Sequence, residues 1–279
     1  MESAFFFTAV ILELIAAGGF IVFAVTKQNK IFKIFNIFLF FGFLCHTAFI
    51  LLYYPKLEAT PGVDLKSAFA VLSWSIVCAY FILQIKFRLM VLAPIVVPVV
   101  ALIMLFAYFL PWVTEETFSQ NFFNLWIGLH IASVFMGEGL FIIAFLVGIM
   151  YLFQERAIKL KKLGAIYKRL PSLEVLDKVN HSSVLWGFPF LTIGIICGVV
   201  YAQATFGAYW QWDPKEVWTL VTWIAYAVLI HKRVLSGWHG RKAAILSIIC
   251  FGMLLFTFFG VNLLLGGYHG FAERSSIIQ

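Results

Sequence analysis

Polar and apolar positions along the chain fall into long blocks rather than a short period. Apolar runs of about twenty residues recur, each closed by a brief polar break. A run of that length is what a helix needs to cross a hydrocarbon layer. Backbone groups in lipid must find their partners within the segment, so the runs are read as helices. Eight spans result: Phe5–Val25, Phe32–Tyr54, Lys66–Ile85, Leu89–Leu110, Asn124–Phe153, Val184–Gln203, Trp218–Leu235 and Ala243–Leu264. The expected fold is all-α, a polytopic integral membrane protein of about eight transmembrane helices forming one membrane domain, 1–279. Residues 1–110 form the first four spans. No internal repeat is evident.

Composition supports the same solvent. Of 279 residues, 63% are hydrophobic and 12% charged, against roughly 25% charged in soluble domains. The net charge of +7 raises the question of nucleic acid, but its placement excludes that partner. Sixteen of the twenty Lys and Arg fall in alternate breaks: Lys27, Lys30, Lys33, Lys86, Arg88, the cluster Arg156 to Lys178, and Lys232, Arg233, Arg241 and Lys242. Lys56, Lys66, Lys215 and Arg274 fall on the other side. The positive-inside rule makes the first side cytoplasmic and puts both termini outside, on the periplasmic-type face. The cysteines, Cys45, Cys78, Cys197 and Cys250, lie singly in apolar runs, with neither a disulfide framework nor a zinc spacing. The N-terminus lacks a signal-peptide pattern.

The expected outer face holds the most informative segment, Gly207 to Trp218 (GAYWQWDPKEVW). Part of it is a helix start: Asp213 suits the cap, Pro214 the first position, and Glu216 follows three residues after the cap. Tryptophans also gather at membrane interfaces. The concentration of Tyr209, Trp210, Trp212 and Trp218, beside Tyr201 and Phe206, forms an aromatic shelf that suits a large flat apolar ligand such as haem. Lys215 and the helix N-terminal amides offer charge for its propionates.

Histidine is the usual axial ligand of haem iron. His130, near the outer end of span five, and His269, about five residues past span eight, reach the level of this shelf and form a candidate bis-histidine pair. Each alone also suits an ordinary interfacial role. His231 lies roughly 20 Å below Trp218 at 1.5 Å per residue, beside Lys232 and Arg233; a snorkelling polar end is its alternative. His46 lies in span two. Ionisable groups inside a membrane are functional candidates, and His231 with His46 is one possible intramembrane pair. Glu138, between Gly137 and Gly139, is either a partner for a histidine or a packed protonated carboxyl. His181 and His239 are read as solvated in cytoplasmic loops.

The runs WQWDPKEVWTLVTWIAYAVLIHKR, GWHGRKAA and FFGVNLLLGGYHGFA, with LPSLEVLDKVN and GFPFLTIGIICGVVYA upstream, resemble the haem-handling subunit of system II cytochrome c biogenesis, the CcsA or ResC type with a tryptophan-rich WWD domain. The resemblance implies a cytochrome c assembly core over 122–272, with its outer loop at 204–218. It implies transport of haem b, one or two molecules, across the membrane, and presentation to a C-x-x-C-H apocytochrome c for covalent attachment. The chain would then be a component of a cytochrome c haem lyase (holocytochrome c synthase). The family's outer ligands fall on His130 and His269 and its intramembrane ligand on His231, with the other intramembrane ligand either His46 or a residue of a second membrane subunit of the CcsB/ResB type. Tyr201 and Phe206 stand where the family often has tryptophan. The implied location is the bacterial inner membrane, or the thylakoid membrane for a plastid-encoded chain. Two alternatives stay open: a HemX-like haem-binding regulatory protein, and the haem-handling subunit of system I.

Overall fold

The computed structural model describes residues 2–53, 65–110, 125–161 and 170–261. Among the described residues eight α-helices succeed one another: α1 (Glu2–Thr26), α2 (Asn29–Tyr53), α3 (Leu65–Phe87), α4 (Ala93–Phe109), α5 (Leu125–Lys159), α6 (Leu173–Phe206), α7 (Pro214–Val234) and α8 (Arg241–Leu255). A π-helical turn, Phe256–Gly260, continues α8. Among the described residues, seven helices are long and apolar enough to cross a membrane. The exception is α7, whose sequence holds Thr219, Thr222, Trp218, Trp223 and Tyr226 and ends on His231-Lys232-Arg233.

Two boundaries differ most from the sequence reading. Helix α6 begins at Leu173, capped by Ser172, whose hydroxyl accepts the Val175 amide at 3.4 Å. The stretch read as a solvated loop, His181 included, is therefore helical and half-buried. Helix α5 extends to Lys159, stabilised at its end by the Lys159–Glu155 pair one turn apart, 2.6 Å. The apolar runs mark only the middles of these two helices, because both carry polar ends beyond them.

The packing reveals a regularity the sequence reading did not find. Helix α1 packs on α2 and α4, and α3 on α2 and α4; in the same way α5 packs on α6 and α8, and α7 on α6 and α8. The two four-helix groups join chiefly where α3 meets α5. Without a hydrophobic drive between helices in lipid, close approach at small residues and interhelical hydrogen bonds hold such a bundle together. Glycines mark the tightest points. A Cβ at Gly139 would lie 2.9 Å from the backbone of Ser75 on α3, and one at Gly137 would lie 3.0 Å from the Gly187 carbonyl on α6.

A polar knot fixes the Lys/Arg-rich end of the second group. The Arg233 guanidinium donates to the Asp177 carboxylate at 2.9 Å and to the Asn180 amide oxygen at 3.1 Å. Asp177 also accepts the Gly240 amide. Asn180 donates to the Ala144 carbonyl and the Ser247 hydroxyl. Four helices, α5 to α8, thus meet through one arginine and one asparagine.

Candidate functional site

The tryptophan-rich segment is a short loop between α6 and α7. Gly207 ends α6 in the left-handed conformation at φ 74°, a place that suits a residue without a Cβ. Asp213 then starts α7: its carboxylate accepts the Lys215 amide at 2.8 Å and its carbonyl accepts the Val217 amide. Glu216 reaches back to accept the Gln211 amide at 2.9 Å, tying the loop to the helix it precedes. Asp213 is buried in this capping role, so its part is to shape the loop.

Within the loop, Trp212 is 79% exposed and adopts φ 58°, an uncommon conformation for a bulky side chain. Its ring meets Trp210 edge to face at 6.0 Å. Tyr209 is exposed beside them. Trp218 turns inward onto Phe256 at 4.6 Å. The shelf is therefore Tyr209, Trp210 and Trp212, while Trp218 packs α7 against the end of α8. Lys215 stands in the first turn of α7, ahead of the spanning stretch. Desolvation pulls its ammonium below the ordinary lysine value, against the opposing pull of Glu138 and Asp213.

His130 lies in the first two turns of α5, at the face where α6 ends and α7 begins. Its Nδ1 is 2.7 Å from the Gly194 carbonyl on α6. A carbonyl only accepts, so Nδ1 carries the proton and, in the neutral ring, Nε2 carries the lone pair. That arrangement is how proteins orient an imidazole for a metal. Gly198, one turn on, makes room: a Cβ there would fall 2.7 Å from Nδ1. Neither Gly194 nor Gly198 was singled out by sequence reasoning. Their G-x-x-x-G spacing was the available signal for close helix approach.

The remaining candidates are dispersed. His46 is fully buried between α1 and α2, with Nδ1 3.0 Å from Glu13 Oε1. His231 is exposed on α7 near its basic end. His46 lies two turns from the end of α2 that shares a face with the start of α7, and His231 lies at the opposite end of α7. The structure thus leaves them in different halves of the membrane thickness. Glu138 is buried in mid-α5, and its flanking glycines admit helices α3 and α6. His269 lies outside the described residues.

Fold and site together define a polytopic all-helical membrane protein with a rigid aromatic loop and an oriented imidazole at one face. Residues 62–269 match the family described as cytochrome C assembly protein, and the chain belongs to that family. It is 31% identical over 245 residues to the cytochrome c biogenesis protein CcsA of Trieres chinensis, covering 77% of this chain and 78% of that one. The CcsA of Chlamydomonas reinhardtii is 32% identical over 228 residues, covering 80% and 64%. The CcsA of Synechococcus sp. (strain JA-2-3B'a(2-13)) is 44% identical over 108 residues, 39% of this chain and 31% of that one. Among solved structures, the cytochrome c heme lyase CcmF superposes with a TM-score of 0.60 at 14% identity, over 92% of this chain and 46% of the other. That likeness is one of fold. The match spans about a third of the Synechococcus relative and under half of the lyase.

Proposed function

We propose that this chain handles haem in system II cytochrome c biogenesis: it takes haem b across the membrane and presents it at the tryptophan-rich face to an apocytochrome c. Its place would be the bacterial inner membrane or the thylakoid membrane, beside a second membrane subunit of the CcsB/ResB type. Family membership supports the pathway. The observation that carries the site is the His130 ring, held in one tautomer by the Gly194 carbonyl in a space left by Gly198.

In this reading haem is the substrate. His130 and His269 would ligate its iron, and Tyr209, Trp210 and Trp212 would cover one face of its macrocycle. The apocytochrome's two thiols add across the haem vinyl groups, each S–H forming a C–S bond and returning its hydrogen to the neighbouring carbon. The chain's own share is to bind, orient and shield. The Gly194 carbonyl fixes the imidazole, the Glu216–Gln211 bond stiffens the shelf, and Lys215 would meet a propionate. His231 would be the intramembrane ligand. Its depth separates it from His46, so its counterpart would come from the second subunit.

The test is the absorption spectrum of the full chain purified from haem-replete cells. Wild type should show the bands of six-coordinate low-spin haem. His130→Ala should lose or shift them and abolish cytochrome c maturation. Unchanged bands in that variant would remove His130 from the site. A HemX-like role would instead leave thioether attachment normal when the protein is deleted.

A further inference from the structure

The two four-helix groups share more than their packing. Aligned helix by helix, α1 on α5, α2 on α6, α3 on α7 and α4 on α8, their sequences echo each other. DLKSAFAVLSW at 64–74 matches DPKEVWTLVTW at 213–223, GFLCHT at 42–47 matches GFPFLT at 187–192, and Glu13 matches Glu138. The contacts repeat as well. Trp74 stacks on Phe43 and donates to the Thr47 hydroxyl at 2.8 Å. Trp223 stacks on Phe188 and donates to the Thr192 hydroxyl at 2.9 Å. Phe69 meets Phe106 edge to face as Trp218 meets Phe256. The chain is a tandem pair of one module, so places where the copies differ mark what only one of them does.

The differences gather around one carboxyl. In the first copy Glu13 pairs with His46 at 3.0 Å, Phe6 lies under the Lys66 ammonium at 5.1 Å, and Phe49 stacks on Tyr53. All of these side chains are buried. In the second copy the place of His46 falls to Leu191, and those of Phe49 and Tyr53 fall to Gly194 and Gly198, which leave room for His130. A Cβ on Gly137 would meet the Leu191 backbone at 3.0 Å, so α6 brings leucine, and no imidazole, beside Glu138. Lys215, the counterpart of Lys66, is partly open.

Glu138 is thus a buried carboxyl without the partner its twin has. Among the described residues, neither its carboxyl nor the Lys215 ammonium makes a hydrogen bond or a closed ion pair. Helices α3 and α6 meet its flanking glycines at Ser75 and Gly187, which carry no charge. Helix α7 brings the ionisable groups within electrostatic reach, Lys215 and Tyr226, and α8 brings Cys250 beside Tyr226. Phe141 stacks on Tyr226 at 3.6 Å and sets the register of α5 against α7, which run in the same direction. His130 and Lys215 each lie eleven residues before that stacked pair, so they share a level. Glu138 lies about 12 Å beneath both, at 1.5 Å per residue.

We propose that Glu138 is the release element of the outer site: its carboxylate opposes the haem propionate that Lys215 receives, takes up one proton from solvent when haem settles, and returns it when haem leaves. Lys215 has one ammonium to offer, and a propionate beside it adds a second anion to a site that already holds Glu138. In a desolvated setting that repulsion is strong, and a proton on the carboxyl removes it. A protein that must hand its cargo on gains from such a counterweight, since affinity then falls as the proton departs. The first copy, with its carboxyl satisfied by His46 and its space filled by phenylalanine, has no such device. This inference rests on the haem reading given above.

The full chain and Glu138→Gln, which keeps the shape of the side chain, are loaded with hemin, and loss of hemin to excess apomyoglobin is followed by absorbance across pH. Wild type should lose hemin faster as pH rises. In the mildly alkaline range the variant should lose it roughly tenfold more slowly, the effect of removing one charge about 10 Å away at intermediate dielectric, and its pH dependence should flatten. Glu138→Asp should keep the wild-type slope. A second readout uses no haem: acetylation of Lys215 by acetic anhydride, followed by peptide mass spectrometry. Labelling should begin at lower pH in Glu138→Gln, because the ammonium has lost an opposite charge that favours it. Superimposable labelling curves, or equal hemin loss in wild type and Glu138→Gln, would overturn the proposal. Equal loss from a wild type that holds hemin sinks this proposal alone, whereas a wild type that takes up no hemin sinks the haem reading and this proposal with it.

Discussion

The backbone carbonyl of Gly194 accepts the Nδ1–H of His130 at 2.7 Å. A helix carbonyl has a second lone pair available after its own ladder bond, so α6 orients the ring without breaking its own structure. Gly198 supplies the room, and its substitution is the sharpest probe. A Gly198→Ala Cβ would meet the ring at 2.7 Å, whereas one at Gly194 would meet the Val134 backbone at 3.0 Å as well as its side chain at 2.5 Å. Gly198→Ala should therefore displace the imidazole and lose most of the Soret absorbance per chain, with the size-exclusion profile retained. Gly194→Ala should also lower thermal stability in detergent, because backbone cannot move aside as a ring can.

Trp212 holds φ 58°, a left-handed conformation that costs an L side chain roughly 1–2 kcal/mol. Relief and function should separate there. Trp212→Gly should leave the melting temperature equal or raised, since glycine adopts that backbone freely. It should also weaken haem retention severalfold in a wash-out assay. Full retention would take Trp212 out of the shelf.

The twin Trp–Thr clamps offer an internal control. Thr192→Val strands the Trp223 Nε1–H, and Thr47→Val strands that of Trp74. Both donors are part-buried, so each variant should lose at most about the 1–3 kcal/mol of a buried orphan, and both should melt earlier by comparable amounts. Only Thr192→Val should disturb the haem spectrum, because Trp223 shares a helix with the loop's anchor.

Breaking the polar knot should be severe. Asp177→Ala leaves the Arg233 guanidinium buried without its carboxylate partner. Removing one member of a buried pair costs about 3–5 kcal/mol. The expected outcome is loss of the protein from the membrane fraction, measured by quantitative blotting. Arg233→Leu with Asp177→Asn should restore part of it.

The Glu13–His46 pair, with neither side chain exposed, should behave as a structural couple. His46→Leu strands the carboxyl and should destabilise the chain, and the addition of Glu13→Leu should recover much of the loss. Haem spectra should be unaltered in the double variant, and any lost band would return His46 to the list of ligands.

Much of this was legible in the sequence. Long apolar runs marked the helices because lipid forces every backbone group into its own ladder, and D-P-K-E marked the start of α7 because capping is a local interaction. The tryptophans and His130 could be placed at one face by counting spans. Other features depend on contacts between segments far apart in the chain. Asp177 and Asn180 read as loop residues because their partners, Arg233 and Ser247, lie on other helices. The role of Gly194 depends on a ring sixty-four residues away in sequence. The repeat escaped notice because its two copies share a pattern of polar and aromatic places while few residues are identical. Trp212 could be marked as exposed and aromatic, but its left-handed backbone could not.

The hydrogen bond between His130 and Gly194 also works as a gauge of register. If α6 slid along α5 by one residue, about 1.5 Å, the carbonyl would leave Nδ1. The proton would then be free to move to Nε2, and the ring could no longer offer iron a lone pair from that nitrogen. If His130 ligates haem iron as proposed, anything that shifts those two helices would release that ligand without touching it.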